Sequence, residues 1–192
     1  AIVRSILEAE AKSKLNFDIT TADSYISMLR SVSDTWYSAF WKMLSESVSL
    51  NELESSLEKV SFIIFNYDRC VEHYLEYAIR NYYGVNEGRA RELVRKITIF
   101  HPYGQVGVLP GGNEQISGER ISFGGRTGKL LSVAMQIKTF TERVEEGEVL
   151  RSMRTEVQEA DTLVFLGFAY HEQNLALITP EQPSKARRVF GT

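Results

Sequence analysis

Apolar residues recur at helical spacing through the first 59 residues of the chain. One short amphipathic stripe comprises Ile2, Val3, Ile6, Leu7 and Ala9. A second stripe, with steps of three and four residues, comprises Tyr25, Met28, Leu29, Val32, Trp36, Phe40, Met43 and Leu44. Such spacing places all eight side chains on one helical face. Ser49 followed by Glu52 is the signature of a capping box. We predict a helical part over residues 1–59, packed on or inserted into the rest of the chain.

The pattern changes at Val60, where a near-continuous apolar run begins. Residues 60–65, 97–100 and 162–166 are short, rich in β-branched and aromatic residues, and typical of strands buried in a parallel sheet. Between them, amphipathic patterns predict helices over 69–82, around 90–94 and over 148–159, and a last one around 175–178. The glycine-rich composition of residues 104–127 predicts a loop. The apolar residues 130–137 do not distinguish between a helix and a strand. Strands that alternate with helices predict an α/β fold, a Rossmann-like parallel sheet flanked by helices, over residues 60–192.

Composition narrows the class of protein. The chain has 192 residues, a formal net charge of -3 and a single cysteine, Cys70. One cysteine cannot form an internal disulfide, which excludes a secreted disulfide scaffold. The cations between Arg89 and Lys96 alternate with glutamates, so they indicate a solvated helix face rather than a nucleic-acid surface. No apolar run reaches the length of a membrane span. We expect a cytoplasmic protein with no membrane or direct nucleic-acid partner.

Polar and glycine residues follow each predicted strand. They are Asn66, Tyr67 and Asp68 after the first, His101, Pro102, Tyr103 and Gly104 after the second, and Gly167, Phe168, Ala169, Tyr170 and His171 after the third. Ligands of open parallel sheets bind beyond the carboxyl ends of the strands, so the sequence predicts one site there. Each residue also has an ordinary structural explanation: Asp68 as a helix N-cap, His101 as a hydrogen-bonded core residue, Gly167 as a close-packing position.

Four segments of the second half carry a family resemblance. They are residues 62–68 with their Asn-x-Asp turn, 97–104 with a strand before Gly104, 162–174 with a strand and glycine turn, and 188–192. Together they resemble the later part of a sirtuin-type NAD-binding domain, and most closely the divergent bacterial branch in which several members hydrolyse NAD.

The resemblance implies roles for the turn residues. Asn66 would lie beside the nicotinamide ribose, and Asp68 would hold the carboxamide. His101 or Tyr103 would take the place of the family's catalytic base. Tyr67, Gly104, Gly167, Phe168 and Ala169 would complete the NAD site. The implied reaction releases nicotinamide and ADP-ribose, in a setting of antiviral defence. The implied partners are NAD or ADP-ribose and further copies of the same chain.

Two departures from the family keep alternatives open. The glycine-rich phosphate turn of the family does not occur in these 192 residues, and Tyr103 stands where the family has its histidine, with His101 two residues earlier. A non-catalytic module that binds NAD or ADP-ribose, or a structural oligomerisation protein, are the alternative functions.

Two other motifs, a phosphate loop and a four-cysteine zinc module, lack residues that they require. Residues 124–129, Gly-Gly-Arg-Thr-Gly-Lys, have the composition of a phosphate loop, but Phe123 and Leu130 occupy the positions where its spacing requires glycine and serine or threonine. A single cysteine cannot build a four-cysteine zinc module, so we expect no metal.

Overall fold

The computed structural model describes residues 1–17, 23–112, 116–138 and 147–191. Within these ranges the helices are α1 Ile2–Lys12, α2 Asp23–Ser31, α3 Trp36–Ser45, α4 Leu50–Leu57, α5 Cys70–Tyr83, α6 Glu87–Val94, α7 Leu130–Ala134, α8 Glu148–Glu159 and α9 Glu172–Ile178. The strands are β1 Ser61–Ile63, β2 Thr98–Phe100, β3 Thr162–Phe165 and β4 Arg188–Gly191. Thr192, the last residue of the fourth family-like segment, lies outside the described residues. No helix in the described ranges is long and apolar enough to cross a membrane.

The long amphipathic stripe does not form one helix. It is interrupted between Ser31 and Trp36, where the Thr35 hydroxyl donates a hydrogen bond to the Val32 carbonyl at 2.6 Å. Such local side-chain bonds compete with helix continuation. The interruption turns α3 so that Met43 is 81% exposed while Trp41 is buried, which makes the single-face prediction wrong. The side chains of Tyr25 and Met28, also assigned to the stripe, lie outside the described set.

Two of the predicted helix-end signals are confirmed, and a third is not. Ser49 and Glu52 form the predicted capping box at the start of α4. Gly84 ends α5 in the left-handed conformation, with φ of 64°, which glycine adopts without steric cost. Contrary to the prediction, Asp68 is not the N-cap of α5, because the helix begins at Cys70 and Arg69 occupies the cap position. Asp68 lies one residue earlier, and its Oδ1 accepts a hydrogen bond from the Cys70 backbone N–H at 3.1 Å.

The strands form two parallel pairs rather than one extended sheet in the part of the chain described. In the first pair, Ser61 of β1 is in register with Thr98 of β2. In the second, Thr162 of β3 is in register with Arg188 of β4, a strand that the apolar pattern did not predict. Side chains rather than backbone hydrogen bonds connect the pairs. The mixed α/β class with parallel strands is therefore confirmed.

Three hydrophobic clusters hold these elements together. The main cluster joins α3 and α4 to α5 and α6, and includes Trp41, Leu53, Tyr74, Ala78 and Leu93. A second cluster joins α1 to α7 and the 106–121 segment, through Val3, Leu7, Val106, Ile121 and Val133. The third lies under α8 and α9, and contains Ile63, Phe65, Phe100 and Phe165 from both strand pairs.

Full burial of the predicted strands was wrong. Ser61 is exposed, Phe62 and Ile63 are half-buried, and Val164 of β3 is 57% exposed. A strand with one hydrogen-bonded neighbour and a single covering layer keeps one face accessible.

The structure also describes residues 130–137 and most of residues 104–127. Residues 104–127 are a loop over their described part, with one bridge between Val108 and Arg120. Residues 130–137 contain the five-residue helix α7.

Candidate functional site

The turn after β1 presents one exposed side chain and anchors the others. Asn66 is exposed, whereas Tyr67 and Asp68 are half-buried. The Tyr67 hydroxyl donates to the Lys138 carbonyl at 2.6 Å, and the Tyr67 carbonyl accepts from the Val106 N–H at 2.9 Å. These bonds hold the residue that follows Asn66, so the exposed Asn66 amide projects next to an anchored position.

Asp68 faces the start of α5. Its Oδ1 accepts the hydrogen bond from the Cys70 N–H. Burial raises the pKa of the Cys70 thiol, and the charge of Asp68 raises it further. Burial is also the main cause that raises the pKa of Tyr37, and Cys70 and Asp68 add to it. Both groups therefore stay protonated at neutral pH, and Cys70 is unsuited to act as a thiolate nucleophile.

His101, at the end of β2, is held from two sides. Its Nε2 lies 2.9 Å from Oε1 of Glu72 in the first turn of α5, and its Nδ1 lies 3.5 Å from the Asn66 carbonyl oxygen. The imidazole is only 9% exposed. The second oxygen of Glu72, Oε2, is buried and has no hydrogen-bond partner among the residues described. A carboxylate behind an imidazole orients the ring and favours a proton on the nitrogen that faces it.

Tyr103 is part of the packed interior. It is 5% exposed, and its hydroxyl donates to Asn174 Oδ1 of α9 at 2.9 Å. Burial, with a smaller contribution from Tyr67, raises the pKa of Tyr103, so the phenol stays protonated and acts as a donor. Gly104 follows with φ of 84°, and a Cβ there would lie 2.1 Å from the Gln136 carbonyl oxygen, so only glycine fits.

The turn after β3 meets the other two through aromatic rings. The Phe168 ring centroid lies 5.3 Å from that of Phe65, and the Tyr103 centroid lies 6.0 Å from Phe65 on another side. Gly167 has φ of 59° and, like Ala169, is exposed. Contacts with Phe65 therefore connect the three strand ends.

No protein-family model, curated protein or solved structure matches this chain.

The turn residues divide into two groups. In the first, His101 contacts the backbone carbonyl of Asn66 and the carboxylate of Glu72. The second joins Tyr103 and Phe168 around Phe65, with Asn174 behind them. Asp68 faces neither group and bonds back to α5. Among residues 1–17, 23–112, 116–138 and 147–191, no three His, Cys, Asp or Glu side chains cluster as metal ligands would.

Two contributors were missed from the sequence. Glu72 lies four residues after Asp68, one helical turn along the same chain segment, and that spacing was an available signal. Asn174 carried no comparable signal, because its contact with Tyr103 spans 71 residues.

Proposed function

We propose that the chain cleaves NAD at the bond between nicotinamide and ribose, yielding nicotinamide and ADP-ribose. The single observation that carries this proposal is that His101 lies between two turns, with its Nδ1 3.5 Å from the backbone carbonyl of the exposed Asn66 and its Nε2 2.9 Å from Glu72 Oε1. This is a carboxylate–imidazole pair that contacts the backbone of a turn with an exposed asparagine, at the end of a parallel strand pair, which is where open parallel sheets bind ligands. The proposal includes the view that both strand pairs belong to one Rossmann-like arrangement.

The proposed chemistry needs few groups. The C1′–N1 bond breaks through an oxocarbenium-like state, nicotinamide leaves with the bonding electron pair, and a water oxygen attacks C1′. The Asn66 amide orients that water, and its released proton passes to His101 or to solvent. The roles of Asp68 at the carboxamide and of Gly167, Phe168 and Ala169 at the ribose and phosphates follow from the family resemblance and are part of the proposal.

A second candidate, binding of NAD or ADP-ribose without turnover, is favoured by one observation. His101 is 9% exposed and both of its ring nitrogens face oxygen acceptors. A ring whose two nitrogens both face oxygen atoms of the protein connects two turns and leaves little access for a substrate. Tyr103 offers no substitute, because its hydroxyl is bonded to Asn174.

Incubation with NAD, with nicotinamide release followed by chromatography, tests the first candidate. We expect release by the parent chain across a series of protein concentrations, and loss of release in Asn66→Ala. The matched control is Asn51→Ala, which removes an equally exposed amide on α4 and is expected to keep parental activity.

Calorimetry with NAD and with ADP-ribose separates the remaining outcomes. Binding without nicotinamide release supports the second candidate. Activity that persists in Asn66→Ala contradicts the proposed mechanism. Absence of both binding and release contradicts both candidates and leaves oligomerisation as the alternative function.

A further inference from the structure

A cavity of about 560 Å³ lies between α1 and the 124–127 turn, away from the residues assigned to the NAD site. Its volume falls in the range of small-molecule sites, roughly 300 to 1,000 Å³. The wall on the α1 side includes Arg4, Glu8 and Lys12, and the opposite wall includes Arg126 and Thr127. The wall that contains Arg126 and Thr127 belongs to the glycine-rich residues 124–129, whose composition, but not spacing, resembles a phosphate loop.

The turn that forms one wall is seated tightly on the helix. Gly124 has φ of 62°, and a Cβ there would lie 2.7 Å from the Ala11 Cα, so no other residue fits. The Gly124 N–H donates to Glu10 Oε2 at 3.1 Å, which ties the turn to α1. The cavity is therefore bounded by two elements that are bonded to each other, rather than by a loose surface loop.

The charge on the cavity walls is positive. Three cations face a single carboxylate, Glu8, and that carboxylate has only a long, exposed contact with Arg4 at 3.9 Å. Neither Lys12 nor Arg126 forms an ion pair within the described ranges. Thr127 adds a hydroxyl, whose oxygen already accepts from the Lys129 N–H at 3.0 Å and which can donate outward. Two unpaired cations and a hydroxyl around one space favour a phosphate or another compact anion.

We propose that this cavity binds the phosphate groups of a small molecule of nucleotide size. The proposal does not depend on NAD cleavage, because none of the cavity residues belongs to the turns around Phe65. Because Arg4 and Lys12 are exposed, the attraction is screened by salt, and binding is expected to weaken as ionic strength rises.

The test uses inorganic pyrophosphate as the probe, followed by amide shifts in two-dimensional NMR and by calorimetry. We expect shifts in the amides of residues 124–128 and a binding constant that falls about tenfold or more in Lys12→Ala/Arg126→Ala. The charge-matched control is Lys42→Ala/Lys59→Ala, which removes two exposed lysines elsewhere. We expect that control to bind pyrophosphate as the parent does.

Three results would overturn the proposal. They are no binding of pyrophosphate at millimolar concentration, shifts confined to residues outside 124–128 and α1, and equal loss in the charge-matched control, which would indicate a non-specific charge effect. Thermal unfolding of each variant establishes that the fold is intact.

Discussion

Arg69 and Glu10 form an ion pair in which both side chains are only 1% exposed. The guanidinium donates to the carboxylate at 2.5 Å through Nη2 and at 3.1 Å through Nε, and the Arg69 backbone N–H donates to the same carboxylate. Nη1 donates to the Ile121 carbonyl at 2.5 Å. One pair thus joins α1, the start of α5 and the 121–124 segment, which is why a charged pair is tolerated in the interior.

Removing one partner of this pair should be strongly destabilising. We expect Glu10→Ala to lower the free energy of unfolding by about 3–5 kcal/mol, because it leaves a buried guanidinium without its counter-ion. The double variant Arg69→Met/Glu10→Leu should lose less than Glu10→Ala, since it leaves no uncompensated charge. Urea unfolding measures both.

The control for that prediction is Asp34→Ala, which breaks the exposed Lys14–Asp34 pair at 3.3 Å. Exposed pairs contribute about 0–1 kcal/mol. If Glu10→Ala proves no more destabilising than Asp34→Ala, the assigned role of the buried pair is wrong.

His73 should make stability depend on acid pH. Burial is the main cause that lowers its pKa to about 4, while its Nε2 lies 3.0 Å from the Leu15 carbonyl oxygen. An unfolded histidine titrates near pH 6.5, so the stability that the neutral ring contributes is present above that pH and is lost as pH falls through about 4. The shift corresponds to about 3 kcal/mol.

The measurement is unfolding by urea between neutral pH and pH 4 in the parent and in His73→Phe, which retains a ring against Phe123. We expect the parent to lose more stability than the variant over this interval. The exposed His171→Gln serves as the control, and a parental slope no steeper than that of His73→Phe contradicts the prediction.

Gly124→Ala should disturb the turn that closes the cationic cavity. The positive φ and the close Ala11 backbone both oppose a methyl group, so we expect a loss of more than about 1 kcal/mol and weaker pyrophosphate binding. Gly128→Ala in the same turn has no atom within 4 Å of the new methyl and should leave both quantities nearly unchanged. Equal effects of the two substitutions would show that the turn is not seated on α1.

Glu72→Gln should affect His101 rather than the fold. The amide keeps the shape of the side chain but removes the charge behind the imidazole, so we expect nicotinamide release to fall about tenfold or more, with little change in unfolding. Imidazole ¹⁵N spectra provide a readout that does not require turnover, because they report which ring nitrogen carries the proton. Glu46→Gln on the surface is the control, and unchanged spectra in Glu72→Gln would exclude a positioning role.

Sequence patterns predicted those elements whose signal is contained within the element. The range 148–159 was correct for α8 because its apolar spacing is regular, and α4 was marked by its own cap. β4 was missed because all four of its residues are exposed, so alternation had nothing to indicate. The two pairs of strands could not be foreseen, since pairing depends on contacts between distant segments.

In the candidate site, too, contacts between distant segments could not be predicted. The convergence of three turns came from a general property of parallel strands, and the structure places them together. The Glu72–His101 contact depends on how the first turn of α5 packs beside the end of β2, 29 residues later. Tyr103 follows the second strand, at the position where the family resemblance implies the catalytic base, but it is 5% exposed and its hydroxyl contacts Asn174 on α9.

The central position of Phe65 has a thermodynamic consequence. Because its ring touches Tyr103 on one side and Phe168 on another, displacement of either turn changes the packing of the other. We therefore expect that a change that orders the β3 turn also restricts the β2 turn. Truncation of this ring would uncouple them, so that contacts at one strand end no longer strengthen contacts at the next.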